Sequence, residues 1–311
     1  MKKIIICVIM AIIFNSCTSQ TKEQQMEEII NKTLLSIEEY SYNPVYSIQV
    51  NKSGCKLIIE IENSIDYRFT ENNGESMMMP LNPMLIKKGK QKAIIKVFPK
   101  EGDSLLTKYA YINLTFYYAP DKDSSLKEYL KIVTYQLPED LASKKIPYYE
   151  SMIEFDVDIP YAYSKDLNKA KNLYEVQNIE EKIIRKYNEL RIICKNLDKL
   201  SYLREQSHMI SRVSNTMYIE KNIKNVTQKY KENEFGVVNS IVKKRELLPV
   251  ENYDVQYYAE GKIVALWQKN LNPLLYLKGE ITNNEGVVRV FEGGDPIFLY
   301  WPEDSDELKV W

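Results

Sequence analysis

The chain predicts a multi-domain α+β protein: an N-terminal immunoglobulin-like β-sandwich, central helices, and a C-terminal antiparallel β-meander. Three observations predict it. Apolar residues recur at every second position between Pro44 and Pro160, broken at short intervals by turn residues. From Asp166 to about Arg245 the apolar spacing lengthens to three and four, and no Gly or Pro interrupts 166–235. From Pro249 to Trp311 the alternation returns.

The elements follow in order. Lys2 and Lys3 precede an uncharged apolar run from Ile4 to Phe14, which ends at Asn15-Ser16-Cys17. A spanning helix needs about 20 apolar residues. This shorter run reads as a secretory signal, 1–17, that stops at a cysteine. Residues 18–43 are rich in Gln, Glu and Lys and read as a tether, with a short helix through Met26-Glu27-Glu28-Ile29-Ile30. The sandwich is expected over 44–164. Tyr46, Ile48 and Val50 alternate with polar residues, and Leu57 to Ile61 follows the turn at Ser53-Gly54. Further strands are expected at Met84–Ile86, Ala93–Phe98, Tyr109–Tyr118 and Lys131–Leu137. In a final strand beyond these, Ile153, Phe155, Val157 and Ile159 alternate with Glu154, Asp156 and Asp158. Residues 165–311 hold the helices and the second sheet. Ile179, Ile183, Ile184, Tyr187, Leu190, Cys194 and Leu197 line one helical stripe, Met209, Ile210 and Val213 begin a second, and Ile219, Ile223, Val226 and Tyr230 form a third. Five or six strands then run from Tyr253 to Trp311, with a tight turn at Gly261.

Composition narrows the function. Hydrophobic residues make up 44% of 311, enough for sizeable cores. Loss of 1–17 leaves 40 basic and 43 acidic residues, a net charge of −3. Nucleic-acid binding needs a concentrated basic excess, and none is visible. Cys55 and Cys194 lie far apart, one on a strand-like and one on a helical segment, and are read as two buried thiols. Neither has a Cys or His neighbour at zinc spacing.

Catalytic signatures are missing. The one histidine, His208, stands among helical residues with no nucleophile or acid–base partner in sequence, and is expected to be a surface or helix-facing residue and not a catalytic one. No nucleophile elbow, His-Glu-x-x-His or phosphate-binding glycine loop occurs. Two acidic clusters, Glu154/Asp156/Asp158 and Glu303/Asp304/Asp306/Glu307, could collect oxygen-loving cations. Both are read instead as solvated surface, so no metal, cofactor or catalytic residue is assigned. All three tryptophans, Trp267, Trp301 and Trp311, fall in the last 45 residues, beside Tyr257, Tyr258, Tyr276, Phe298 and Tyr300. Aromatics on a sheet read either as core and β-formers or, since a 60-residue sheet is expected to leave some of them exposed, as anchors of protein interfaces and of sugar stacking. The candidate partner-binding set is therefore Trp267, Tyr300, Trp301, Asp304 and Asp306. Met77-Met78-Met79-Pro80 reads as a hydrophobic loop or as core.

Two resemblances add to this reading. Ser16-Cys17 after the apolar run resembles a bacterial lipobox, with Phe14 where Leu is usual, which implies acylation of Cys17. Thr18 follows it, so no acidic retention signal is visible, which implies an outer-membrane destination, periplasm-facing or surface-exposed. Asn82-Pro83-Met84-Leu85-Ile86-Lys87-Lys88-Gly89-Lys90-Gln91 with Val97-Phe98-Pro99 resembles the sandwich domain of a group of outer-membrane lipoproteins of Bacteroidota and some gammaproteobacteria. Leu247 to Tyr253, Tyr258 to Val264 and Ser305 to Val310 are similar to their C-terminal sheet. The family implies a membrane anchor and a protein partner, and an immunity role against antibacterial toxins. A glycan-binding or scaffolding lipoprotein and a hydrolase working through paired carboxylates are the alternatives.

Overall fold

A computed structural model describes residues 20–221, 241–283 and 285–311. The signal, Cys17 and the expected helical positions Ile223, Val226 and Tyr230 lie outside them. The described chain is β-rich and mixed with helices, and all its sheets are antiparallel. Among the described residues no helix is long and apolar enough to cross a membrane.

The stretch expected to be a tether is instead largely helix α1, Lys22–Leu35. Thr21 caps it: its hydroxyl accepts from the Gln24 amide at 3.2 Å, and its own amide donates to the Gln24 side chain at 2.8 Å. The helix does not hang free. Ile30, Leu34 and the following Ile37 are buried with Leu203 in a small core of their own. The sequence signal is weak because most of the helix surface is polar and only one narrow stripe is covered.

Eight strands follow in two four-stranded sheets. β1 (Val45–Ser53), β4 (Glu75–Pro80), β6 (Tyr111–Ala119) and β7 (Leu130–Gln136) are ordered β4-β1-β6-β7. β2 (Cys55–Ile61), β3 (Asp66–Phe69), β5 (Gly89–Pro99) and β8 (Tyr149–Val157) are ordered β3-β2-β5-β8. The chain crosses from β1 to β2 at Gly54, φ +65°, where a Cβ would sit 2.3 Å from the Tyr109 carbonyl oxygen. Ile48, Leu57, Ile95, Leu114 and Phe116 fill the space between the sheets, and Phe116 meets Phe155 across it at 5.0 Å. On β8 the period-two pattern holds: Ile153, Phe155 and Val157 point in, and Glu154 and Asp156 face solvent, as does Asp158 just beyond the strand. The expected strand at Met84–Ile86 is a buried 3₁₀ turn, Asn82–Met84, and its continuation. The preceding methionines form edge strand β4, with Met77 and Met78 exposed.

Two short helices, α2 (Leu141–Lys144) and α3 (Ser164–Lys169), lead to the helical pair α4 (Ile179–Lys195) and α5 (Lys199–Thr216). Ile183, Tyr187, Leu190 and Cys194 of the expected stripe are buried on α4. The C-terminal strands do not form one meander. β10 (Tyr253–Tyr258), β11 (Ile263–Gln268), β14 (Phe298–Tyr300) and β15 (Lys309–Val310) make one sheet. β9 (Lys243–Leu247), β12 (Leu275–Thr282) and β13 (Val288–Asp295) make another, ordered β13-β12-β9. β11 is covered on both faces. Ile263, Ala265 and Trp267 join the core of the eight N-terminal strands, while Val264 and Leu266 join the core beneath α4. Double burial explains its unbroken apolar run, Ile-Val-Ala-Leu-Trp. Tyr187 pins the layers: its hydroxyl accepts from the Leu266 amide at 2.8 Å and donates to the Ile297 carbonyl at 2.5 Å.

Candidate functional site

The structure separates the five candidate residues into frame and tip. Trp267, Tyr300 and Trp301 are 3%, 6% and 7% exposed, and Trp311 is buried too. The expectation of exposed aromatic anchors is therefore corrected. A sheet covered on two faces buries about twice the apolar area of a sheet covered on one, so the aromatics fit inside.

Each aromatic has a polar partner that fixes it. The Arg68 guanidinium lies 3.5 Å from the Trp267 ring centroid, and the indole N–H donates to the Tyr258 hydroxyl at 3.0 Å. Tyr258 in turn donates to Asp66 at 2.8 Å, and Arg68 pairs with the same carboxylate at 3.0 Å. Burial pushes the Tyr258 hydroxyl far above its ordinary range, reinforced by the Asp66 charge. This cluster ties β3 to β10 and β11.

Tyr300 stacks on His208 of α5, ring centroids 5.0 Å apart, and meets Trp311 edge-on at the same distance. Burial, and then the Arg212 charge, push the His208 imidazole down to about 4, so the ring is neutral at pH 7. Arg212 is itself buried and donates to the Pro83 carbonyl at 2.6 Å. Burial lowers it to about 10, and it stays a cation. Nε2 of His208 is buried without a hydrogen-bond partner among the described residues. His208 is half-buried, with its ring packed on Tyr300 and Trp311.

Trp301 holds up the acidic turn 302–307. Its indole N–H donates to the Ser305 carbonyl at 2.7 Å, and the Lys171 ammonium sits 4.3 Å from its ring centroid. The Ser305 amide donates back to the Pro302 carbonyl at 3.2 Å, and the Glu307 amide donates to the Ser305 hydroxyl at 3.2 Å. Glu307 hydrogen-bonds Lys309, which draws its carboxyl below the usual range, and lies 3.9 Å from Lys186. Lys186 is buried and pairs with Glu205 of α5 at 2.6 Å. The turn is thus fastened from its base, and Glu303, Asp304 and Asp306 face solvent at its tip. The turn's backbone is held, and it carries three exposed carboxylates at its tip.

Sequence reasoning missed a second feature, a cleft of about 590 Å³ between α1 and α5. His208 lines it, with hydroxyls from both helices. Nothing in the linear pattern pairs 20–36 with 204–211; a helical reading of 21–36 with its narrow apolar stripe was the available signal.

Cys55 and Cys194 are free and buried, and burial raises their thiols to about 11 and about 12. Among the described residues no group of three or more His, Cys, Asp or Glu side chains converges to hold a metal ion. Comparison with protein-family models, with curated proteins and with solved structures finds no match to the chain, so the likeness to outer-membrane lipoproteins stands on the quoted segments alone.

Proposed function

We propose that this chain is an exported binding protein, anchored to the outer membrane through acylated Cys17, that occludes an antibacterial toxin. The observation that carries the reading is the acidic turn 302–307, whose tip is exposed and whose base is locked by Trp301, Ser305 and Lys186. Preorganised charge favours fast, selective capture of a basic protein surface. The N-terminal strands support an immunoglobulin-like build. β1 and β2 lie in opposite sheets, β2 and β3 form a hairpin, and β4 and β5 return beside β1 and β2.

The test is direct. A strain lacking the chain is grown beside toxin-delivering kin and complemented with the full chain or with Asp304→Asn/Asp306→Asn. Complementation by the full chain and failure of the double variant, at equal abundance and equal melting temperature, is the expected result. Survival of the uncomplemented strain removes the immunity role. Surface changes of this kind shift stability by no more than about 0.5 kcal/mol, so loss of protection reports on binding.

A further inference from the structure

We infer that the cleft between α1 and α5 is a binding site for the phosphate-bearing headgroup of a membrane lipid. Its volume of about 590 Å³ falls in the range of small-molecule sites. One wall is α1, with Gln25, Lys32 and Ser36; the other is α5, with Arg204, Ser207 and Ser211. Lys32 and Arg204 supply two cations, and neither enters an ion pair among the described residues. The Arg204 guanidinium makes a long 3.5 Å bond to the Gln25 side chain. A phosphate matches two cations, and a guanidinium recognises it through paired N–H groups; the Ser36, Ser207 and Ser211 hydroxyls beside them donate to Thr33, Arg204 and Ser207 carbonyls and would have to rotate to reach it. Glu28 also lines the cleft and disfavours a more highly charged polyanion. A singly charged phosphodiester carrying a hydroxylated stub fits this balance.

Position selects the source of the phosphate, and this step rests on the reading that Cys17 is acylated. With α1 docked, the chain from Cys17 to the helix cap Thr21 spans at most about 14 Å. Gln20, at the mouth of the cleft, lies three residues from the acylated position. The cleft therefore stays beside the headgroups of the bilayer that holds the anchor. Because its two walls belong to different helices, a bound headgroup also ties α1 to α5.

The full-length chain in nonionic detergent is titrated calorimetrically with glycerophosphoglycerol, a soluble phosphodiester headgroup of single negative charge, and in a second arm with inorganic phosphate. Glycerophosphoglycerol is expected to bind, and to bind more tightly than inorganic phosphate. Lys32→Gln and Arg204→Gln are each expected to weaken it about tenfold, the loss of one charge-assisted hydrogen bond, with unchanged melting temperatures. Amide exchange in α1 is expected to slow with ligand bound. No binding, or affinity retained in both variants, overturns the site. Equal affinity for inorganic phosphate overturns the headgroup assignment. The probe is soluble, so its binding does not depend on acyl chains. Mass spectrometry finding an unmodified Cys17 overturns the anchor separately.

Discussion

β11 and α1 each bury a few apolar side chains, yet they hold opposite positions in the molecule. β11 lies between two large cores and is covered on both faces. α1 rests on a single helix, and its core contains Ile30, Leu34, Ile37 and Leu203 with a rim of partly buried neighbours. Fourteen helical residues are ordered in α1 around three inward-facing aliphatics of its own segment. The two regions therefore differ in local stability: β11 opens only with the whole molecule, whereas α1 opens first.

Four measurements break or sharpen that contrast. Trp267→Ala has the largest expected effect, about 3–5 kcal/mol in a denaturant titration, because it empties the junction beneath Arg68. A loss under 1 kcal/mol would mean that β11 does not join the cores.

The second is pH. His208 links α5 to Tyr300 and Trp311, and it titrates at about 4 in the folded chain against 6.5 in its ordinary state. A depressed folded value favours the neutral ring. Its stabilisation is complete above about pH 6.5 and disappears as pH falls towards 4, on the order of 3 kcal/mol. Denaturation midpoints at pH 7 and pH 4.5 should separate in the native chain and draw together in His208→Gln. Identical pH profiles for the two would remove the imidazole from the account.

Leu34→Ala should act locally. Removing a buried leucine costs about 2–5 kcal/mol where the site cannot escape, but here the cost is capped by the undocking of α1. Hydrogen exchange should rise throughout 22–35 while β11 amides keep their protection. Uniform acceleration across both regions would show one cooperative unit instead of two.

Trp301→Phe should have the smallest effect, about 1 kcal/mol, from the lost bond to the Ser305 carbonyl. Its signature is faster exchange of the Ser305 and Glu307 amides. Unchanged exchange there would show that the turn stands without its indole support.

Much of this was legible in advance, and the exceptions share a cause. The alternation on β8, the stripe on α4 and the separation of strand and helix regions each follow from a local period that burial later respects. The fate of the aromatics was not legible. Counting tryptophans against a 60-residue sheet assumes one covered face, and β11 with β14 has two. The docking of α1 was hidden for the opposite reason: its apolar stripe is too narrow to stand out from a polar linker until α5 supplies Leu203 and Ile210 as the other half.

Residue order alone determined where each period begins and ends, which residues can turn, and how charge is spread along the chain, because backbone sterics and side-chain alternation act over a few neighbours. Tertiary structure decided which of the eligible apolar residues are covered, which carboxylates stay wet, and which distant helices share a cleft. Those outcomes depend on contacts between segments as much as 214 positions apart, such as Lys56 with Asn270, and no local pattern encodes them.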